Sequence, residues 1–204
     1  SGISTEVGKT VCSALLVKAL EADYWKPVQS GDLHHTDSMK VASWNGLELP
    51  PPRFPPETHR LTEPMSPHAS AAIDGIHIQL SDFQLPQTEA PLIVEGAGGL
   101  MVPLNEEDTI LDLMAQLQLP VVLVSRNYLG SINHTLLTLE ALKNKGHKPY
   151  LLYSGNPHPT TEAIIERKTG VPAIGRIEEL PRITREEVAR LAANLRPVLR
   201  EFKL

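Results

Sequence analysis

Cysteine is all but missing from this 204-residue chain, where Cys12 stands alone. No disulfide framework can therefore staple the fold, and the place of Cys12 in an apolar helical pattern marks it as a buried core thiol. An intracellular, cytoplasmic setting is expected. Long apolar runs are missing too. None approaches the roughly 18 residues of a membrane span, and the opening residues do not resemble a signal peptide. Clusters of lysine and arginine are absent from a chain of net charge −5, which disfavours a general nucleic-acid surface, because affinity for phosphate backbones comes largely from such clusters. A small molecule is the expected partner. No Gly-x-Ser-x-Gly elbow anchors a serine-hydrolase reading. The eight histidines, adjacent His34 and His35 included, lack the ligand spacing of a zinc site. There is no fixed-period repeat and no low-complexity tail. With 41% hydrophobic and 21% charged residues, residues 1–204 suit one compact domain with a sizeable core.

What is present begins at once. Ser1-Gly2-Ile3-Ser4-Thr5-Glu6-Val7-Gly8-Lys9-Thr10 is a glycine-rich, lysine-containing loop that runs into Val11, Leu15, Leu16, Ala19 and Leu20 at helical spacing. Backbone N–H groups of such a loop and the positive end of the following helix surround phosphate oxygens. A lysine ammonium and a metal-bound hydroxyl, here Lys9 and Thr10, complete the cage. The usual motif has four residues between its glycines, whereas Gly2 and Gly8 enclose five. A strand aims a loop of this kind, so about six residues of apolar strand are expected ahead of Ser1.

Further along, strand-like runs at Tyr24 to Val28, Leu92 to Val94, Val121 to Ser125, Tyr150 to Tyr153 and Ala173 to Ile177 alternate with amphipathic stretches. This is an α/β pattern: a doubly wound, mainly parallel sheet in three α/β/α layers, like the P-loop NTPases. Asp108 or Thr109 can cap a helix through Leu117, and Thr184 with Glu187 makes a capping box for a helix towards Arg200. Ser131 to Lys145 reads as another helix, ended by Gly146. The seven prolines from Pro50 to Pro67 predict a surface loop or lid.

Ligands of open α/β sheets sit beyond the carboxyl ends of the strands, which singles out four segments. Lys26-Pro27-Val28-Gln29-Ser30-Gly31 holds a lysine and a hydroxyl beside a rigid proline. Alone, such a lysine is usually a solvated surface group. Glu95-Gly96-Ala97-Gly98-Gly99 puts an acid at a strand end, followed by a backbone that can approach a ligand closely; the alternative is a simple glycine turn. Asp37 is either a further acid at the site or an N-cap. Leu129-Gly130-Ser131-Ile132-Asn133-His134 is a helix start whose free N–H groups could hold a carboxylate, unless Ser131 merely caps it.

These segments, with Glu63-Pro64-Met65-Ser66-Pro67-His68, occur in the order and spacing of the dethiobiotin synthetase family, which most of the chain resembles. The resemblance implies an ATP- and Mg²⁺-dependent enzyme. It would close a ureido ring on 7,8-diaminononanoate, with CO₂ as carbon source, through a carbamate and a carbamic–phosphoric anhydride. Lys9, Lys26 and Thr5 would form the catalytic set, and Thr10, Asp37 and Glu95 would hold Mg²⁺. Glu6, Val7, Gly8, Lys9, Thr10 and Val11 would wrap the nucleotide phosphates, with Gly96, Ala97 and Gly98 completing that wall. Ser154, Gly155, Glu178, Glu179 and Leu180 would surround the base. Ser30 would contact the diamine, while Gly130, Ser131, Ile132 and Asn133 would receive the substrate carboxylate from the neighbouring subunit of a homodimer.

Two departures stand out. Ser154 takes the place where the family usually has a base-reading asparagine, which predicts weaker base discrimination, and Glu178-Glu179-Leu180 lacks the family's common proline. Other P-loop readings compete. A Par-like ATPase normally has a lysine early in the loop, where this chain has Ser4-Thr5-Glu6. An amide synthase needs a glutaminase cysteine, and Cys12 lies on the wrong helix. A non-catalytic nucleotide sensor would have no use for a second lysine.

Overall fold

The computed structural model describes residues 1–49 and 53–202. Pro50, Pro51 and Pro52, the start of the proline-rich segment read as a loop or lid, lie outside the described residues. In chain order the elements are α1 (Lys9–Leu20), β1 (Asp23–Trp25), β2 (Val28–Ser30), α2 (Asp37–Asn45), β3 (His59–Leu61), α3 (Pro67–Asp74), β4 (Leu92–Val94), α4 (Ile110–Leu117), β5 (Val121–Arg126), α5 (Ser131–Asn144), β6 (Pro149–Ser154), α6 (Pro159–Thr169), β7 (Ala173–Ile177) and α7 (Arg185–Glu201).

Every ladder between these strands is parallel: β1 with β4, β2 with β3, and β5 with β6 with β7. Parallel neighbours need crossovers, which the helices supply on both faces. The outcome is the expected doubly wound α/β/α arrangement. One strand expectation is corrected. The run from Tyr24 to Val28 is two strands, because Pro27 has no N–H to give a ladder. The pieces still hang together, since Glu95 N–H donates to Trp25 O at 3.0 Å and His59 N–H to Pro27 O at 3.0 Å. The break leaves Lys26 between the two pairings. A second correction falls in the proline-rich segment, which is not loop throughout: β3 crosses it and pairs with β2.

Ends of helices follow local chemistry. Thr109, not Asp108, caps α4, and the Asp112 carboxylate reaches back to the Thr109 N–H, a complete capping box. Only half of the box expected at α7 forms: Thr184 accepts from Glu187 N–H, but the Glu187 carboxylate is taken by Arg190 at 3.0 Å. Asp37 is not a cap either. Thr36 caps α2, accepting from Met39 N–H, and Asp37 is the first helical residue. Gly130 precedes α5 with no side-chain cap bond, so Ser131 does not cap it, and the helix stops at Asn144.

The main core joins α1, β5, β6, β7 and α7 through Leu15, Leu123, Leu151 and Val188, all fully buried. A second core brings Trp25, Leu61, Phe83, Ile110 and Leu113 together under β1, β3 and α4. Each such side chain contributes about 1.5–3 kcal/mol on burial. Cys12 is buried as expected, and burial pushes its thiol pKa up to about 12. The edges of β4 and β5 bound an apolar slot of about 310 Å³. Ser1 to Ile3 runs along its β5 side, with Ile3 N–H donating to Val124 O at 3.1 Å and Val124 N–H to Ser1 O at 2.8 Å. No helix among the described residues is long and apolar enough to cross a membrane.

Candidate active site

A cleft of about 730 Å³ opens where the first loop meets the ends of β1, β2 and β4. One wall is the loop itself. Gly8 takes φ 89°, a left-handed turn that favours glycine, and α1 starts directly after it. Among the described hydrogen bonds, no N–H of residues 5–11 donates to a protein acceptor. These groups are the natural donors for an anion at a helix N-terminus. Lys9 bends back over the loop and donates to Ser4 O at 2.8 Å. Burial lowers its pKa below that of a free lysine, and the repulsion of Lys26 acts in the same direction.

Opposite the loop, polar groups converge on Glu95. Thr10 Oγ1 donates to Glu95 Oε1 at 3.0 Å, and Lys26 Nζ donates to the same oxygen at 3.2 Å. Tyr24, fully buried, donates its phenol to Glu95 Oε2 at 3.0 Å. Lys26 Nζ also lies 2.7 Å from Asp37 Oδ2. Burial alone would lower the Lys26 pKa, but the carboxylates of Glu95 and Asp37 outweigh it and raise the value above an ordinary lysine. Burial would raise the Asp37 pKa, and Lys26 holds it below the usual carboxylate range.

Of the three oxygen-bearing side chains expected to hold a metal, Asp37 and Glu95 thus flank one cation, the Lys26 ammonium, and Thr10 shares Glu95 Oε1 with it. A hydroxyl and two carboxylates are hard donors, and together with waters and phosphate oxygens they suit Mg²⁺. In electrostatic terms, the donor set fits a cation at this place.

Ser30 lines the same cleft, and its Oγ is buried without a hydrogen-bond partner among the described residues. An orphaned hydroxyl facing a cleft is poised for a ligand. Next to it, a side chain at Gly31 would sit 2.6 Å from the Pro64 Cα. That close approach brings the Glu63 to His68 block against the lysine block, and Pro64, Met65, Ser66 and Pro67 join the cleft wall. Thr5, Ala97 and Gly98 line the cleft as well.

Not every predicted site residue reaches this wall. Ser154 turns its hydroxyl to the phosphate loop, where a side chain at Gly8 would come within 2.7 Å of Ser154 Oγ. Gly155 lies under the Arg126 side chain, which donates to Glu179 at 2.8 Å. Glu178, Glu179 and Leu180 follow β7 outside the phosphate cleft. The start of α5 is also outside it: Gly130 has φ 102°, Ser131 is buried, and Leu129, Ile132 and Leu137 are exposed around them.

Four contributors escaped the sequence reading. Tyr24 braces Glu95. Gln29 accepts from Asp37 N–H at 3.1 Å and so ties α2 to β2. Lys40 lies 3.6 Å from Asp37 and 2.8 Å from Asp32. Trp44 lines the cleft one helical turn beyond Lys40. Only helical spacing from Asp37 could have pointed to the last two.

A family model described as AAA domain matches residues 1–187. The ATP-dependent dethiobiotin synthetase BioD of Christiangramia forsetii is 50% identical over 203 residues, covering 99% of this chain and 97% of that protein. The protein of the same name from Afipia carboxidovorans is 46% identical over 188 residues, covering 91% and 89%. A solved ParA family ATPase from Chlorobium tepidum TLS is similar with a TM-score of 0.48 at 12% identity, over 98% of this chain and 90% of that one.

Proposed function

The chain belongs to the AAA domain family and, within it, to the ATP-dependent dethiobiotin synthetases, and from that premise we propose that its cleft carboxylates 7,8-diaminononanoate and closes the ureido ring. It is an ATP-dependent ligase. The observation that carries the proposal is the buried Lys26 ammonium, held between Asp37 at 2.7 Å and Glu95 at 3.2 Å beside the phosphate loop. A nucleotide sensor needs the phosphate cage but not this second lysine.

The loop N–H groups and Lys9 hold the triphosphate, and Lys9 exchanges the Ser4 carbonyl for phosphate oxygen. Thr10, Asp37 and Glu95 would hold Mg²⁺, which when bound neutralises charge on the phosphate oxygens. Lys26, which lines the same cleft, would meet the substrate. One amine of the diamine and CO₂ form a carbamate, whose charge Lys26 offsets. A carbamate oxygen attacks the γ-phosphorus and ADP leaves, giving a carbamic–phosphoric anhydride. The second amine then attacks the carbonyl carbon, phosphate departs with the former carbamate oxygen, and the amine proton is lost. In phosphoryl transfer most of the catalysis is positioning and charge stabilisation, which two lysines and the loop provide. Ser30 is placed to orient the diamine.

The α5 start needs a different setting. Gly130, Ser131, Ile132 and Asn133 are assigned to the substrate carboxylate of a second subunit. The exposed Leu129, Ile132 and Leu137 beside them support a homodimer across this surface. Incubation with ATP, Mg²⁺, bicarbonate and 7,8-diaminononanoate should give the cyclic urea by mass spectrometry. Phosphate release that needs no diamine would favour a Par-like ATPase instead.

A further inference from the structure

Trp44 is poorly explained as core filling. It packs its inner side against two of the cores, yet it is only half buried and lines the cleft. Asp37, Lys40 and Trp44 fall at i, i+3 and i+7 of α2, and all three line the cleft, so they share one helix face. Seven residues advance a helix by about 10 Å. Trp44 therefore stands from the cation-binding carboxylate at roughly the distance that separates the phosphate end of an extended nucleoside triphosphate from its base.

Direction agrees with distance. From Asp37 the helix runs towards the start of α7, where Arg185 Nε donates to Ser43 O at 2.9 Å. This places the Trp44 end of α2 beside the segment that follows β7. Of the side chains there that could read the edge of a base, Arg126 is paired with Glu179 and the Ser154 hydroxyl is turned towards Gly8. What remains is a flat aromatic face, held by packing at its back. Such a face takes a base by stacking with little loss of side-chain freedom and little regard for base identity.

We propose that Trp44 is a nucleotide-binding residue whose indole stacks on the base. The inference rests on reading the cleft as a nucleotide site, and it names a contact that this reading does not contain.

Two probes separate the base from the phosphates: the Mg²⁺ complexes of adenosine 5′-(β,γ-imido)triphosphate and of inorganic tripolyphosphate, each titrated by calorimetry and by tryptophan fluorescence. The nucleotide analogue should quench the parent protein's fluorescence and tripolyphosphate should not. Trp44→Leu should weaken the analogue by roughly tenfold or more and leave tripolyphosphate within about twofold. Trp44→Phe, which keeps a ring, should retain most of the affinity and lose the nucleotide-specific quench. Unchanged analogue affinity in Trp44→Leu would overturn the proposal, as would an equal loss for both probes, which marks a packing role. Should Trp44→Leu fail to fold, the Phe variant decides: a nucleotide-specific quench that survives in it overturns the proposal, and loss of that quench supports it. If the parent binds neither probe, the nucleotide reading itself fails.

Discussion

At the end of the cleft proposed for the phosphates, Thr10, Lys26 and Tyr24 all donate to one carboxylate, Glu95, and Gln29 fixes the helix that presents Asp37. Beyond that cleft, where the base is proposed to lie, Ser154 is turned to the loop and Arg126 and Glu179, both partly exposed, pair across Gly155. One end is braced before any ligand arrives; the other is a set of surfaces. Preorganised charge is what stabilises a developing transition state, whereas a base needs only to be held. Substitutions at the braced end should therefore damage chemistry, and those at the base end should shift selectivity by small amounts.

The largest effects belong to the two lysines. Lys26→Gln should keep nucleotide binding and lose turnover by roughly a hundredfold or more, the scale of a removed electrostatic stabiliser; near-normal turnover would make Lys26 an ordinary ion-pair residue. Lys9→Ala should lose most activity and also weaken ATP, because in the proposed site its ammonium meets the phosphates. Calorimetry that finds ATP bound as tightly as by the parent would contradict the phosphate-loop assignment.

Next in size is the brace. Tyr24→Phe leaves Glu95 Oε2 without its buried donor, so stability should fall by about 1.5–3 kcal/mol. Denaturant unfolding measures this, and no change would mean that Glu95 is positioned without Tyr24.

The lysines should also separate by pH. The Lys9 pKa is lowered from 10.5 by burial, so below pH 10.5 there is a range in which the unfolded chain holds that proton and the folded protein does not. Stability without ligand rises with pH in that range. Nucleotide binding, which favours the charged lysine, should take up a proton there and weaken as pH rises through the folded value. Lys26, whose pKa is raised, stays charged in the same range, and its stabilising contribution is lost only above 10.5. Calorimetry in two buffers of different ionisation enthalpy reports the proton, and binding without uptake would remove the distinction.

Much of the braced end was legible because its parts are contiguous: the loop through Thr10, Lys26 beside Pro27, and Glu95 before its glycines each lie at a strand end. Tyr24 was not legible, since its role exists only once residues 71 apart in sequence meet. Trp44 was missed for a related reason, as helical spacing from Asp37 matters only after α2 is known to flank the cleft. Pro27 could have warned of the split between β1 and β2, for a residue without an N–H in the interior of a strand removes a ladder bond, whereas at a strand start, as at Pro149, it is tolerated. Asp37 was left open between a cap and a site acid, and the neighbouring Thr36, which offers the same capping chemistry, takes the cap; the Asp37 carboxylate pairs with Lys26 instead.

The smallest effect is expected at Ser154. One side-chain hydrogen bond of discrimination is worth about 0.5–1.5 kcal/mol, so Ser154→Asn should sharpen preference for ATP over CTP or GTP by no more than about tenfold in steady-state rates. Rejection of the other nucleotides by several orders of magnitude in the parent, unaltered by Ser154→Asn, would show that backbone around Glu178 to Leu180 reads the base.

The ring-closing chemistry makes a direct statement about oxygen atoms. With bicarbonate labelled by ¹⁸O, a single turnover on ATP and 7,8-diaminononanoate should yield the cyclic urea and inorganic phosphate carrying one labelled oxygen from the carbamate. Cyclic urea formed with unlabelled phosphate, or labelled bicarbonate left unused while ATP is hydrolysed, would contradict the carbamate–phosphate route.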